Sequence, residues 1–525
     1  MRIILMSVQS ELDAVGLRYV HYSLLRHGHE SSLLYLPRFC QNNIHQAGKV
    51  KEFIRTMNPG LIGMSVVSRD YHSSAWLTSY IKNFNRSLSV LWGGMHPTIA
   101  PAECLKYADY VCVGEAERAA VDFANALDNK KDPRSVNNIY YAENGHIRKN
   151  PLYPLIENLD EVPSYEHLPA NSFVLAGKDI VPLTKRLFKK YDRYSGTIYS
   201  TITSRGCPFH CTYCCNNHLT KLYGSAILRK RTMPSIMEEL EKAVKDHAEI
   251  EYINFQDDCF LTRNSDDLRE FCESYKKRIH KPFIARAIPT YISEEKLAVL
   301  KGAGLAWLSL GLQSGSDRVC RELYKRNSLR TDFLRAAAMV KKFNIAAFYD
   351  VILDNPFEKE ADKLKTAHVL AKTPKPFFTQ FFSLAFYPGT ELYERAKIEC
   401  PEQIEDYRKK DLLIPRRSTV NSLIMVSTLI EKKYANGLLY LYKHRPHSAQ
   451  FKIALFLANA LCLFIAIPKT SLKVIRLSQR GSLLKTAKTI AIYFVYYVRT
   501  RLISIVMVMT QGRGNGLLKR IQLSR

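Results

Sequence analysis

Three cysteines, Cys207, Cys211 and Cys214, stand in a CxxxCxxC spacing inside the run Ser204-Arg-Gly-Cys-Pro-Phe-His-Cys-Thr-Tyr-Cys-Cys215. Thiolates this close on one loop hold a soft metal or a metal–sulfur cluster. A [4Fe–4S] cluster ordinarily takes four cysteines. Three leave one iron without a protein ligand, much as a catalytic zinc site keeps an open position. The plain alternative is three unrelated buried cysteines; Cys215 reads as a bystander. Other residues that could do chemistry follow short apolar runs. Gly93-Gly94-Met95-His96-Pro97-Thr98 and Gly114-Glu115-Ala116-Glu117 put glycines where a backbone can approach a large ligand. Asp257 and Asp258 close another run, where carboxylates suit a cation or cap a helix.

The elements that position these residues alternate between strand and helix. Residues 2–8, 31–36, 61–67, 89–92 and 110–113 read as strands, with helices over 16–27, ended by Gly28, and over 74–84. Such alternation predicts an open parallel α/β sheet over 1–130, with ligands beyond the carboxyl ends of its strands. Residues 131–195 lack strong periodicity and read as a linker with a solvated basic stretch. The alternation resumes over 196–396, with strands at 197–203, 252–256, 283–287, 307–310, 346–353 and 378–384 and clear helices at 234–247 and 293–303. Six βα units suggest a partial (β/α)6 barrel with its chemistry at the carboxyl ends of the strands.

Composition narrows the class. The 525 residues are 46% hydrophobic and 24% charged, which suits two or three globular domains rather than a disordered chain. Twelve scattered cysteines do not make a secreted disulfide scaffold, and the triplet argues for a reducing cytosol. The opening Met1-Arg-Ile-Ile-Leu-Met-Ser is too short an apolar run for a signal peptide and reads as a first strand. The net charge is +27, and residues 451–525 carry 13 Lys and Arg with no Asp or Glu. A basic balance suits nucleic acid or an anionic membrane. The apolar runs of this same tail, 453–467 with only Asn459 polar and 490–509 broken by Arg499 and Arg501, favour the membrane and argue against nucleic acid. A mainly helical, basic, membrane-associated region is expected over 397–525. The alternative is a pair of helices packed on the barrel, or a hairpin dipping into one leaflet.

CxxxCxxC after a strand resembles the radical SAM superfamily, and the GG-x-H-P-T and G-E-x-E segments resemble the cobalamin-binding domain that precedes many of its members. Asn158-Leu-Asp-Glu-Val-Pro163 is similar to the family's linker segment, and Phe386-Tyr-Pro-Gly-Thr-Glu-Leu-Tyr393 to the segment that closes its core. The resemblance implies that Cys207, Cys211 and Cys214 hold a [4Fe–4S] cluster whose open iron binds S-adenosylmethionine (SAM). Reductive cleavage of SAM then yields a 5′-deoxyadenosyl radical. It further implies SAM contacts from Asp257 or Asp258 to the ammonium, from Arg286 to the carboxylate (or Arg286 in a structural ion pair), and from Gln313 and Ser314 to the ribose. Cobalamin contacts would come from Gly93, Gly94, His96, Gly114 and Glu115. Four departures stand out. Gln313 replaces the family's usual Glu. Asp354-Asn-Pro-Phe357 stands where G-x-P-G is common, and Phe386 replaces a proline. The DxHxxG loop that ligates cobalt from below is missing. Asp70-Tyr-His72 has half of it without the glycine and reads as a polar loop or helix start, so no lower histidine ligand is expected.

The expected activity is functionalisation of an unactivated carbon. The leading reaction is cobalamin-dependent methyl transfer to a lipid or lipid-linked substrate, with electrons from a donor such as a flavodoxin or ferredoxin. The expected location is cytoplasmic, peripheral on the inner face of the membrane. Radical cyclisation, oxidation or carbon–carbon bond formation is the alternative chemistry, and a cobalamin or redox sensor the non-enzyme alternative.

Overall fold

The computed structural model describes residues 1–224, 228–404, 415–416 and 418–478. The chain divides into two compact units. The first holds residues 1–258, 277–281 and 386–410, the second 259–276, 282–385 and the described residues after 411.

The first unit is built on a nine-stranded sheet. Its strands are β1 (Arg2–Ser7), β2 (Glu30–Tyr35), β3 (Leu61–Ser65), β4 (Ser89–Gly93), β5 (Tyr110–Cys112), β6 (Ile139–Glu143), β7 (His146–Lys149), β8 (Ser172–Ala176) and β9 (Asp179–Pro182). They lie in the order β7-β6-β5-β4-β3-β1-β2-β8-β9. The pairs from β5 through to β8 are parallel, and β6–β7 and β8–β9 add antiparallel hairpins at the two edges. Residues 131–195 therefore contribute four strands and are not a bare connection. Along β1 the side chains alternate between two cores, Ile4 and Met6 on one face and Ile3 and Leu5 on the other. A strand buried on both faces reads as an unbroken apolar run. Strand order reverses beside β1, which makes the carboxyl ends of β1 and β3 the natural ligand crevice.

The six strands of the partial barrel are all present. β10 (Ile198–Thr201) follows the second edge hairpin, and the two-residue β11 (Ser204–Arg205) and β12 (Arg229–Lys230) pair with each other. β13 (Tyr252–Phe255) pairs with β10 in parallel. In the second unit β14 (Phe283–Ala287), β15 (Leu305–Gln313), β16 (Ala346–Leu353) and β17 (Phe378–Ser383) form a parallel ladder. Helices Glu294–Ala303, Arg330–Lys342 and Glu360–Lys372 alternate with them.

The C-terminal region is helical through residue 478. Thr419–Ser427, every residue buried from Val420 onward, packs on Glu360–Lys372. Lys432–His444 follows, then Ala449–Leu461, which continues through a π-turn into Ile467–Ser478. That last helix lies against β15, β16 and β17. Asp354, at φ +63°, ties this region to the barrel. Its carboxylate accepts from Ser383 Oγ (2.5 Å), the Arg416 N–H (2.7 Å) and Asn421 Nδ2 (2.8 Å). This is what the departure from G-x-P-G does here. The apolar run at 490–509 lies outside the described residues.

Candidate functional site

The cysteine loop begins where β10 ends, and Asp257 sets that beginning. Fully buried, Asp257 accepts from the Thr203 N–H (2.7 Å), Thr203 Oγ1 (2.7 Å) and Ser204 Oγ (2.6 Å). Both its oxygens are thus committed to the chain. Neighbouring Asp258 is exposed and faces a cavity. Of the two, Asp257 is built as a positioning residue and Asp258 as one that can meet a ligand. Cys211 is buried, while Cys207 and Cys214 are partly buried. Helix Cys215–Tyr223 starts directly after Cys214, so its positive end serves the thiolates. Burial pushes the Cys214 thiol up to about 12, and the charges of Cys215, Cys211 and Asp258 add to it. A thiol in this state loses its proton to a coordinating metal. The segment from Phe386 closes on this loop. Leu392 N–H donates to the Thr212 carbonyl at 3.0 Å, His218 Nδ1 lies 3.4 Å from the Gly389 carbonyl, and a Cβ on Gly389 would collide with His218.

The cavity measures about 440 Å³ and belongs wholly to the first unit. Its walls include Leu5 of β1, the carboxyl ends of β3, β4 and β5, one face of helix Val15–Arg26, and Ser204, Cys207, Gln256 and Asp258. Two of its corners require glycine. Gly94 has φ +101°, and a Cβ there would lie 3.1 Å from the Val66 carbonyl. Gly114 has φ +85°, and a Cβ there would overlap the Tyr223 hydroxyl, which accepts the Glu115 N–H at 3.0 Å.

Glu115 lines the cavity, yet its carboxylate is also a clamp. It accepts from Arg205 Nη1 (3.1 Å), Arg229 Nη2 (2.8 Å) and Nη1 (3.0 Å), and the Ile156 N–H (3.2 Å). Arg205 also pairs with Glu117 at 2.5 Å. Burial pushes the Glu115 carboxyl up, but the Arg229 hydrogen bonds and the Arg205 charge outweigh it and hold it below the usual range. The G-E-x-E segment is thereby bound to the arginine two residues before Cys207. His96 takes no part in the cavity wall. It is fully buried, with Nδ1 3.2 Å from Ser68 Oγ and its ring edge-on to Tyr71 at 4.8 Å. Asp70 ends a short 3-10 turn and His72 sits in the first turn of helix Tyr71–Phe84.

The remaining candidates belong to the second unit. Arg286 on β14 pairs in register with Ser309 on β15. Ser309 Oγ donates to Asp350 Oδ2 on β16 at 3.1 Å. Burial pushes the Asp350 carboxyl up to about 6, against the Ser309 hydrogen bond and the Arg286 charge. Gln313 has φ +62°, and its amide folds over Gly311, where a Cβ would leave it no room. Ser314 is buried, and its hydroxyl donates to Glu358 Oε1 at 2.7 Å.

Gly93, Gly94, Gly114, Glu115, Asp258 and Cys207 thus share one cavity wall, and Cys211, Cys214, Asp257 and His96 do not line it. Sequence reasoning missed Arg205, Arg229, Tyr223 and Asp350. Arg205 lies inside the quoted cysteine run, and Asp350 is a charge within an apolar strand; both were available signals. Among the described residues no three His, Cys, Asp or Glu side chains converge on a single-ion site. A [4Fe–4S] cluster asks for something else, since each thiolate binds its own iron. Three cysteines on one loop at a helix start, beside glycine corners that only backbone can line, fit a cluster and a large cofactor.

Residues 201–370 match the Radical SAM superfamily and residues 1–124 match the B12 binding domain. The chain is 25% identical over 352 residues to an uncharacterised methyltransferase of Pyrococcus horikoshii, covering 66% of this chain and 71% of that one. It is 24% identical over 382 residues to the anaerobic magnesium-protoporphyrin IX monomethyl ester cyclase of Rubrivivax gelatinosus, covering 70% and 63%. Among solved structures it is similar in fold to the radical S-adenosylmethionine methyltransferase TsrM from Kitasatospora setae, solved with cobalamin and a [4Fe–4S] cluster bound. That likeness has a TM-score of 0.60 and 15% identity, covering 76% of this chain and 75% of that one. With both domains in this order, the chain belongs to the radical SAM enzymes that carry a B12-binding domain, whose cofactors are a [4Fe–4S] cluster, S-adenosylmethionine and cobalamin.

Proposed function

We propose that the enzyme transfers a methyl group to an unactivated carbon of a lipid or lipid-linked substrate. The observation that carries this reading is the shared cavity. The glycine-cornered strand ends and the Cys207 loop open on one space, so a relay between two cofactors needs no second site. When bound, the cluster and SAM supply the radical and cobalamin supplies the methyl group. The chain's own part is to hold and to shield. Cys207, Cys211 and Cys214 hold the cluster. Asp258 offers a carboxylate to the SAM ammonium, and Asp257 fixes the strand end that carries it. Gly93, Gly94 and Gly114 line the cavity where the corrinoid would lie. In the second unit Arg286 and Gln313 are the groups proposed for the SAM carboxylate and ribose, with Ser314 fixing the turn through Glu358. Electrons come from a flavodoxin- or ferredoxin-type donor, and the enzyme works at the cytoplasmic face of the membrane. The lipid assignment rests on the basic, apolar C-terminal region.

The test compares total lipid extracts by mass spectrometry from three strains: a deletion, the deletion complemented by the wild type, and the deletion complemented by Cys211→Ala. The expected result is one lipid lacking a single methyl group in the deletion, restored by the wild type and not by the variant. A lipid changed by another increment moves the chemistry to cyclisation or oxidation, the reading that the cyclase relative favours. Unchanged lipids in an expressing strain sink the lipid assignment. Absence of 5′-deoxyadenosine from SAM under reduction sinks the enzyme reading in favour of a sensor.

A further inference from the structure

The C-terminal helix has two apolar faces, and the second unit covers only one. Phe451, Leu455, Asn459, Cys462, Ile467, Ser471 and Val474 recur at helical spacing and are all buried. Asn459, the one polar residue of the 453–467 run, is satisfied there. Its Nδ2 donates to Ser422 Oγ at 3.1 Å and to the Leu455 carbonyl at 2.8 Å. The other face shows Ile453 (58% exposed), Phe456, Leu457, Leu461, Phe464 (75% exposed), Ile465 and Leu472. These also recur at helical spacing and form one stripe about 28 Å long.

Ala449–Val474 is long and apolar enough to cross a membrane, and a third of its most apolar 18-residue stretch is buried in the protein. The buried face rules out a simple crossing, because spanning would pull Phe451 through Val474 out of their packing. The charge pattern says what covers the other face. Exposed Lys452 precedes the stripe, exposed Lys469 stands near its far end, and exposed Lys473 and Arg476 follow it. Residues 451–525 hold 13 cations and no acid. An apolar stripe ended by long cationic side chains is the pattern of a helix lying in the plane of a bilayer surface, its stems buried and its charges at the headgroups.

We propose that the stripe from Ile453 to Leu472 docks flat into one leaflet of an anionic membrane. The proposal deepens the lipid-substrate reading, since it says how such a substrate would be met. Docking itself needs neither cluster nor turnover, so either idea can fail without the other.

The experiment is flotation of the full chain with vesicles of phosphatidylcholine alone and of phosphatidylcholine mixed with phosphatidylglycerol. The wild type is expected to float with the mixed vesicles. Ile453→Asp with Phe464→Asp should lower the bound fraction by roughly tenfold or more. The circular dichroism and thermal midpoint should stay unchanged, because both side chains already face water. Lys469→Gln with Lys473→Gln should cost about fivefold for each charge on mixed vesicles and little on neutral ones. The proposal is overturned if the wild type stays in the soluble fraction with mixed vesicles. Equal flotation of the double Asp variant also overturns it, since another basic segment then carries the binding. So does light scattering that shows a dimer broken by the Asp variant with vesicle binding unchanged, because a second copy is then the occupant.

Discussion

Glu358 is a carboxyl shut away from water that accepts from the Ser314 hydroxyl at 2.7 Å. Burial pushes it up to about 7, and the Ser314 hydrogen bond and Lys363 charge only partly offset this. In the unfolded chain it ionises near 4.5. Between those values the folded protein keeps a proton that the unfolded chain has lost, so stability falls as pH rises through the window. The loss is at most about 3 kcal/mol. Glu358→Gln keeps the acceptor oxygen for Ser314 and removes the titration. The wild type should therefore lose more of its thermal midpoint between pH 5 and pH 8 than the variant does. Asp350, raised to about 6, contributes with the same sign in both proteins and cancels in the comparison. Parallel losses would mean that Glu358 is ionised in the fold. The same residue explains why Ser314 was only half legible. The family resemblance marked Ser314 for the SAM ribose, but Glu358, the partner that takes the hydroxyl, lies 44 positions away.

Among the elements, the pair β11–β12 does the most with the least length. Two residues on each strand bring Arg205 and Arg229 into register and aim both at Glu115. The sequence marked Glu115 for cobalamin because it sits in a G-E-x-E turn. Its clamp role was hidden because the arginines lie 90 and 114 positions away. The parallel strands were legible for the opposite reason, since burial on both faces writes an apolar run into the chain. The edge hairpins were not, and β7, exposed at every residue, shows why. Glu115→Gln removes the charge shared by the two guanidinium groups while leaving Arg205 its Glu117 pair. The expected cost is about 1–3 kcal/mol, paid at the cysteine loop. It should appear as faster loss of the reconstituted cluster to an iron chelator, with the secondary structure intact. If the cluster leaves both proteins at the same rate, the clamp does not steady that loop.

At the scale of the whole molecule, cofactor binding and folding are linked, and the division into two units says where the link should appear. Every residue that lines the cavity belongs to the first unit. A ligand held only by the folded state stabilises it by about 2.7 kcal/mol at a hundredfold excess over Kd. Hydroxocobalamin should therefore slow amide exchange in peptides covering β3, β4 and β5 and leave β15, β16 and β17 unchanged. Regional exchange is the right measure here, because a chain of two units need not unfold in one step. Gly94→Val should abolish the protection, since its φ of +101° and the Val66 carbonyl leave a side chain no place. His72→Ala should abolish nothing. His72 lies in the first turn of a helix, outside any DxHxxG loop, so both the protection and the absorption spectrum of bound cobalamin should match the wild type. A spectrum altered by that substitution would mean that a histidine does reach the cobalt. Unprotected β3 to β5 in the wild type would mean that the domain keeps the shape of a cobalamin cradle and has lost its ligand.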